Sequence, residues 1–449
     1  MTQKTEKILE SNLFQLMFHL TLPAVLSTLL FGIQNFIDAI FAGQFLGGSA
    51  FAAISMTYPI TFIISGLAKL IGGGSASIFS RAIGARDNIT KRKVLNNLFL
   101  LTLVTSVICT FIGYIFSDRL IILIGGTNEI FQQASSYLKV IFLGSIFLIS
   151  GMAGNMLIHS EGKIRLATFY IAIAVFTNII GNIFFVKVLN LEITGIAYAT
   201  LISMLVFSFL NFRYVVKTQR FNISLSFLLK GDNWSSQLIK KIVLIGIPGL
   251  LFNTLALFQH SLIYKTVALN GTDRDLILMA ASLRIFILTT NIASAFAIGF
   301  APVAGINYGA RNYSRVKKSL ILFSVSGGFV LMFIWLYMQL YSQTFVGFFL
   351  PSFSLTEQDI LRFKIIIFLI PIFPFAFCNI KLFQAIGNGI LPAFFLISRQ
   401  ILLLIPILYF CQKIFGITGI YLSLLIVDII VVLVSVFFTR VEFKKMSQS

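Results

Sequence analysis

The chain repeats one arrangement of long apolar stretches and basic turns, and this duplication limits its fold more than any other feature. Long apolar sequence leads to SRAIGARDNITKRK at residues 80–93, and a second long apolar region leads to NYGARNYSRVKK at residues 307–318. Pro23 recurs 225 residues later as Pro248, and the same offset relates Gln34 to Gln259. Self-similarity at a fixed spacing indicates that the chain consists of two copies of one structural unit.

The composition indicates that lipid, not water, surrounds most of this chain. Of its 449 residues, 58% are hydrophobic and only 11% are charged, with a mean hydropathy of +0.96. Soluble domains carry about a quarter of charged residues. A membrane-spanning helix needs roughly 20 apolar residues, and twelve stretches meet that length. They lie at residues 14–43, 53–79, 94–117, 134–158, 166–189, 194–216, 242–269, 276–305, 319–343, 361–386, 391–412 and 417–439.

We therefore predict an all-α integral membrane protein with twelve transmembrane helices in two six-helix lobes. Residues 1–216 form the N-lobe, residues 217–241 a cytoplasmic linker, and residues 242–449 the C-lobe. Six is an even number, so both copies enter the membrane with the same orientation and are related by a pseudo-two-fold axis along the membrane normal. Two such lobes with one cleft between them are typical of secondary transporters, whose sites lie at the repeat interface.

The net charge of +19 reflects membrane topology and does not predict nucleic-acid binding. Most Lys and Arg residues lie in every second loop, as in residues 81–93 and 311–318. Because cytoplasmic loops carry the excess of positive charge, both termini of this multi-pass membrane protein are predicted to be cytoplasmic. Three cysteines lie in apolar stretches without spacing typical of a disulfide framework or a metal site. We expect a monomer that contacts membrane lipid and needs no cofactor.

Asp38 is the clearest candidate for a functional residue, since an ionisable group inside a membrane span must face protein or water. Gln34 and Asn35 lie three to four positions before it and share its helix face. The same half contains further polar residues within predicted spans: Asn155, Asn178, Asn182 and Thr200. One carboxylate with amide and hydroxyl oxygens suits a monovalent cation such as Na⁺, and a buried aspartate could equally carry a proton. Interhelical hydrogen bonding is the structural alternative for each residue.

Other polar residues within spans are candidate modulators or cleft-lining groups. Lys69 in the second span either extends its ammonium towards the interface or pairs with Asp38. The second half contributes Gln259, His260 and Arg284. His260 could titrate near neutral pH or serve as a hydrogen-bonded core residue. The offset that relates the halves aligns Asp38 with Ile263, so the anionic centre is expected in the first half alone.

At these residues the sequence resembles the multidrug and toxic compound extrusion (MATE) family over essentially its whole length. The N-half resemblance rests on Asp38 in the first span, on Gly72-Gly73-Gly74 running to Ser80-Arg81 and Gly84, and on Asn178 four residues before position 182. In the C-half, PVAGINYGAR at residues 302–311 looks like the bacterial DinF-like and MepA-like branch.

The resemblance implies both an activity and a site. In this family the residues matching Asp38, Asn155, Asn178, Asn182 and Thr200 form the cation site of the N-lobe. Its members export cationic, amphipathic compounds in exchange for H⁺ or Na⁺. Many of them carry aspartate at the position of Asn182, so asparagine here leaves Asp38 as the only carboxylate of the set, and the coupling ion stays open.

Two other functions remain as alternatives. A lipid-linked saccharide flippase of the same superfamily would also have duplicated halves. A flippase for an anionic lipid is expected to carry several arginines inside N-lobe spans, where this chain offers mainly Asp38 and Lys69. A membrane transferase would need a catalytic cluster at a membrane face, and the three histidines His19, His159 and His260 do not suggest one.

Overall fold

The computed structural model describes residues 3–126, 128–219, 235–349 and 355–448, and within these ranges the chain is helical with no strand. The helices are α1 Gln3–Glu10, α2 Leu13–Phe41, α3 Gly48–Gly84, α4 Asn88–Leu123, α5 Asn128–Leu143, α6 Ser145–Ser160, α7 Ile164–Asn182, α8 Glu192–Gln219, α9 Ser236–Asn270, α10 Asp273–Gly309, α11 Tyr313–Leu340, α12 Ser342–Phe349, α13 Glu357–Ile367, α14 Phe373–Ile386, α15 Ile390–Ile397 and α16 Leu404–Gln448. Three π-helical turns extend or join them, at Ala42–Leu46, Ile183–Val188 and Ser398–Leu403, and a 3₁₀ turn at Ile370–Ile372 joins α13 to α14.

The predicted spans correspond to these helices, with two differences in how they are built. The fourth span is a bent pair, because α5 and α6 meet at an angle of 53°. The last apolar helical segment, Ile390–Gln448, has 59 residues, or about 88 Å at 1.5 Å per residue, against a hydrocarbon core of about 30 Å. Gly416 interrupts it with a φ of 58°, where glycine is tolerated because it has no Cβ. Divided there, the described residues contain twelve spans.

The chain forms two compact units. The first unit comprises Leu22–Asn253, and the second comprises Met1–Thr21 with Thr254–Ser449. Two helices therefore contribute to both units: α2 changes unit after Thr21, and α9 changes unit after Asn253. The predicted lobe and linker boundaries stay a prediction, and residues 220–234 of the linker lie outside the described part of the chain.

The repeated basic motifs fold into the same turn in each unit. Arg86 and Arg311, which are 225 positions apart, both adopt a left-handed conformation, with φ of 57° and 59°. The following residue closes the turn in each case, with its N–H donating to Ala82 O at 2.9 Å in the first copy and to Asn307 O at 2.8 Å in the second. Asp87 and Asn312 then cap the next helix. The duplication seen in the sequence is therefore a duplication of backbone geometry.

Glycine residues let α3 approach α9 to backbone distance within the first unit. A Cβ at Gly74 would lie 1.9 Å from the carbonyl oxygen of Ile242, and one at Gly246 would lie 1.8 Å from that of Leu70. Real side-chain carbons cannot occupy these positions. The first-unit part of α9 is thus packed against the middle of α3, where Lys69 lies.

Candidate functional site

Asp38 is held by side chains from two other helices of the first unit. Its Oδ1 accepts hydrogen bonds from Asn178 Nδ2 at 3.1 Å and Asn182 Nδ2 at 2.9 Å, and its Oδ2 accepts one from Thr200 Oγ1 at 2.9 Å. Asn178 also donates to Thr200 Oγ1 at 3.2 Å. Four of the five residues predicted for the cation site therefore lie in one hydrogen-bonded cluster, which we call the Asp38 cluster: Asp38, Asn178, Asn182 and Thr200.

Local helix geometry positions this cluster. Asp38 lies in the last turn of α2, and Asn182 is the last residue of α7. Each helix continues directly into a π-helical turn, at Ala42–Leu46 and at Ile183–Val188. Such turns are rare and occur frequently at functional sites. Asn178 and Asn182 are one helical turn apart, so both amides face the same carboxylate.

The cluster is closed to solvent, and among the described residues its carboxylate has no counter-charge. Asp38 is 5% exposed, and Asn178 and Asn182 are fully buried. Among the described residues no cation forms an ion pair with Asp38, and Asn182 Oδ1 is buried without a hydrogen-bond partner there. An isolated buried carboxylate is costly unless it is neutralised. The arrangement can therefore take up and release one positive charge, with amide and hydroxyl oxygens available as further ligands.

Tyr137 is a member of this site that the sequence analysis missed. Its phenol, on α5, is 5% exposed, lies beside Thr200 and is within electrostatic range of Asp38. A tyrosine within an apolar span was the available signal, because a buried phenol usually finds a polar partner. The sequence alone did not show which helix that partner would come from.

Asn155 was predicted to join Asp38, and the structure places it elsewhere. Its Nδ2 donates to the carbonyl of Ala167 at 3.1 Å and to Asn211 Oδ1 at 3.2 Å. Ala167 precedes Asn178 by 11 residues on α7, which corresponds to about 16 Å along the helix. The sequence correctly assigned Asn155 to the same half, but its depth in the membrane depends on how the helices are aligned. In this structure it connects α6 to α7 and α8.

The two residues predicted to share the face of Asp38 have different outcomes. Gln34 Nε2 donates to Ser203 Oγ on α8 at 3.4 Å, one helical turn from Thr200. Gln34 therefore adds a second hydrogen bond between α2 and α8, beside the one between Asp38 and Thr200. The side chain of Asn35 lies outside the described residues.

Lys69 was expected to snorkel or to pair with Asp38, and the structure places its ammonium against Asn253 instead. Lys69 Nζ donates to Asn253 Oδ1 at 2.9 Å. It also lies 5.7 Å from the ring centroids of both Phe62 and Phe252. This arrangement was not predicted, because it depends on the close packing of α3 against α9.

The second unit holds its own charged cluster at the predicted residue Gln259. Arg399 donates through Nε to Asp428 Oδ1 at 2.7 Å and through Nη1 to Gln259 Oε1 at 3.0 Å. His260 is half-buried and within electrostatic range of Arg399. Arg284 is exposed and lies near Tyr264. Ile263, which corresponds to Asp38 by the repeat offset, is fully buried in the apolar core.

Comparison with known proteins places these two units among membrane transporters. The sequence profile described as MatE matches residues 23–184 and 268–410. The Multidrug export protein MepA of Staphylococcus haemolyticus (strain JCSC1435) is 26% identical over 436 residues, covering 95% of this chain and 93% of that protein. The protein of the same name from Staphylococcus aureus (strain MRSA252) is 25% identical over 419 residues, covering 93% of this chain and 92% of that protein.

Solved structures show the same fold. A crystal structure of MATE in the bent conformation superposes with a TM-score of 0.92 at 21% identity, covering 100% of this chain and 99% of that one. The outward-facing conformation of a multidrug resistance MATE family transporter of the MOP superfamily superposes with a TM-score of 0.89 at 21% identity, covering 100% and 99%. The predicted all-helical fold, with twelve spans in two lobes, is confirmed by this likeness.

Proposed function

The chain belongs to the MatE family, and we propose that it is a secondary active antiporter that exports drugs. The proposed substrates are cationic or amphipathic small molecules, and the proposed driving ion is H⁺ or Na⁺. Relatives named for multidrug export match more than nine-tenths of the chain. Family members are transporters and not enzymes, so the transferase alternative is excluded, and a flippase is less well supported than a drug exporter.

The observation that carries the coupling proposal is the Asp38 cluster. Its carboxylate is buried, it has three neutral donors and, among the described residues, no paired cation. Taking up H⁺ or Na⁺ removes a charge from an environment where a bare anion is unfavourable. Binding of the ion therefore favours the state in which this cluster is closed.

Coupling follows if the substrate favours the other state. A ligand shifts a two-state equilibrium only by its different affinity for the two states. The ion stabilises the closed Asp38 cluster, and the exported compound would bind better when the cluster is open. For Na⁺, the ligands would be the Asp38 carboxylate with oxygens of Asn178, Asn182 and Thr200, since hard cations prefer oxygen.

Transport in proteoliposomes tests this proposal. A panel of cationic dyes, with ethidium first, is assayed under a pH gradient without Na⁺ and, separately, under a Na⁺ gradient at equal pH. One gradient should drive dye transport against its concentration, and Asp38→Asn should reduce that transport to the rate of empty liposomes. Asparagine has nearly the same shape as aspartate, so the variant should still fold, as checked by its thermal unfolding midpoint.

A matched control is Asp118→Asn, which also removes one negative charge from the first unit. Asp118 is 48% exposed and pairs with Lys139 at 2.9 Å, so its loss should leave transport unchanged. Wild-type rates in Asp38→Asn, under whichever gradient drives transport, would contradict the coupling role. Failure of both gradients to drive any dye in the wild type would contradict the antiporter itself.

The proposed location is the bacterial plasma membrane with both termini in the cytoplasm. The bias of Lys and Arg towards alternate loops supports this orientation. In a cysteine-free background, Ser447→Cys should react with a membrane-impermeant maleimide only after the cells are permeabilised. Labelling of intact cells would show that the C-terminus is outside.

A further inference from the structure

The ammonium of Lys69 occupies an aromatic site in the middle of a membrane span. Lys69 lies 15 residues before the end of α3 at Gly84, or about 22 Å along the helix. Two phenylalanine faces, those of Phe62 and Phe252, lie 5.7 Å from its Nζ, and Asn253 Oδ1 accepts its hydrogen bond at 2.9 Å. Aromatic faces with a polar acceptor are how proteins hold organic ammonium groups.

The framework of this site is held by contacts that do not involve the ammonium. Asn253 is fully buried and donates its Nδ2 to the carbonyl of Phe62 at 2.8 Å. That bond turns its Oδ1 towards the space that the ammonium occupies. Gly249 allows the approach of the two helices, because a Cβ there would lie 2.9 Å from Lys69 Cβ and 2.9 Å from its carbonyl oxygen. The acceptor is thus preoriented.

The site is also reachable from one side. Phe252 is 39% exposed, and Lys69 and Phe62 are half-buried. A charge at this depth must face protein or water. The exposed ring of Phe252 leaves one side of the site uncovered by protein, and a second cation could compete with the lysine there.

We propose that Phe62, Phe252 and Asn253 form a binding site for organic cations, and that Lys69 is a tethered cation that occupies it. A cationic compound binds there only by displacing the lysine ammonium, so Lys69 weakens the binding of cationic substrates at this site. As a statement about substrate selection this rests on the proposed export function, but binding itself can be measured without any gradient.

Ethidium binding to the purified full-length protein in detergent tests the proposal. Lys69→Met keeps the aliphatic stem that packs against Gly249 and removes the charge. Its affinity for ethidium should exceed that of the wild type by about tenfold. This corresponds to about 1.4 kcal/mol, which lies between the values for an exposed and a desolvated cation–π contact. Lys69→Arg keeps a cation in the site and should bind as the wild type does.

Two further variants separate this site from general effects. Lys69→Met with Phe252→Ala removes the proposed binding surface and should lose the gain. Lys265→Met removes one exposed cation from a span of the second unit and should leave ethidium affinity unchanged. If Lys69→Met does not give a monodisperse protein, Lys69→Gln replaces it, because its amide can still hydrogen-bond to Asn253.

The outcomes are decisive for the site and separable from the transport proposal. A folded Lys69→Met or Lys69→Gln protein with wild-type affinity would overturn the inference, as would an equal gain in Lys265→Met. The gain should persist in an Asp38→Asn background, because no ion gradient is involved. Tighter binding in a protein that no gradient drives would support this site while contradicting the antiporter.

Discussion

Replacing either Arg399 or Asp428 alone should lower the free energy of unfolding much more than expected for a pair whose two members are both replaced. The pair is largely buried, with side-chain exposures of 21% and 6%, and its atoms are 2.7 Å apart. Arg399→Met leaves the Asp428 carboxylate buried without its counter-charge. Removing one partner of such a pair costs about 3–5 kcal/mol, and we expect the same range for Asp428→Leu.

The double variant should cost much less than the sum of the single ones. Replacing both partners with apolar groups is often nearly neutral. The remaining cost comes from Gln259, whose Oε1 loses its 3.0 Å bond from Arg399, and an orphaned buried acceptor costs about 1–3 kcal/mol. Two single variants at about 3 kcal/mol each sum to about 6 kcal/mol, and the double variant costs at most about 3 kcal/mol. The coupling energy between the two residues is therefore at least about 3 kcal/mol.

Equilibrium unfolding in mixed micelles with increasing SDS measures these energies. The chain has two tryptophans, and Trp335 packs against the core of the second unit. In a Trp234→Phe background the fluorescence of Trp335 therefore reports unfolding of the unit that holds the pair. Lys265→Met, an exposed change in the same unit, should shift stability by no more than about 0.5 kcal/mol.

Additive costs would refute the reasoning. If the double variant loses as much as the two single variants together, the two charges do not depend on each other. The pair would then behave like an exposed salt bridge, which contributes about 0–1 kcal/mol, and the burial assigned to it would be wrong.

Three further predictions follow from contacts within single units. Gly74→Ala should lower the thermal midpoint and the yield of folded protein, because its Cβ would lie 1.9 Å from a carbonyl oxygen of α9. Gly32→Ala should lower neither, because a Cβ there would have no described atom within 4 Å. Thr200→Val should slow gradient-driven dye transport in proteoliposomes by removing the 2.9 Å donor to Asp38. Thr177→Val should not slow it, since within the described part of the chain the Thr177 hydroxyl bonds to the carbonyl of Ile173 on its own helix. Equal rates in the two variants would contradict the assignment. Arg315→Ala should speed hydrogen exchange in α1, because the guanidinium bonds two carbonyl groups at the end of that helix, and unchanged exchange would show that α1 is held by other contacts.

Much of the fold was predictable because its signals are local. The length and spacing of apolar stretches predicted the spans, and the basic motifs predicted a duplicated unit, in which the structure shows the same left-handed turn at Arg86 and Arg311. Asp38 could also be singled out, since a carboxylate within an apolar span needs a partner whatever the fold. Residues four apart share a helix face, so Asn178 and Asn182 were expected to face the same way, and their grouping with Asp38 came from the family resemblance.

Contacts between helices were decided by tertiary structure. One helix's sequence shows which residues share a face, but not how far its neighbours are shifted along it. Asn155 contacts α7 at Ala167, which lies about 16 Å along that helix from Asn178, and no pattern in α5 indicated that Tyr137 would lie beside Thr200. The partners of Lys69 and Arg399 depend equally on distant segments, because Asn253 and Asp428 come close only when whole helices pack. The sequence alone determined which polar residues lie in membrane spans and so need a partner. Helix packing determined which partners they have, because a side chain contacts only the groups that the backbone places near it.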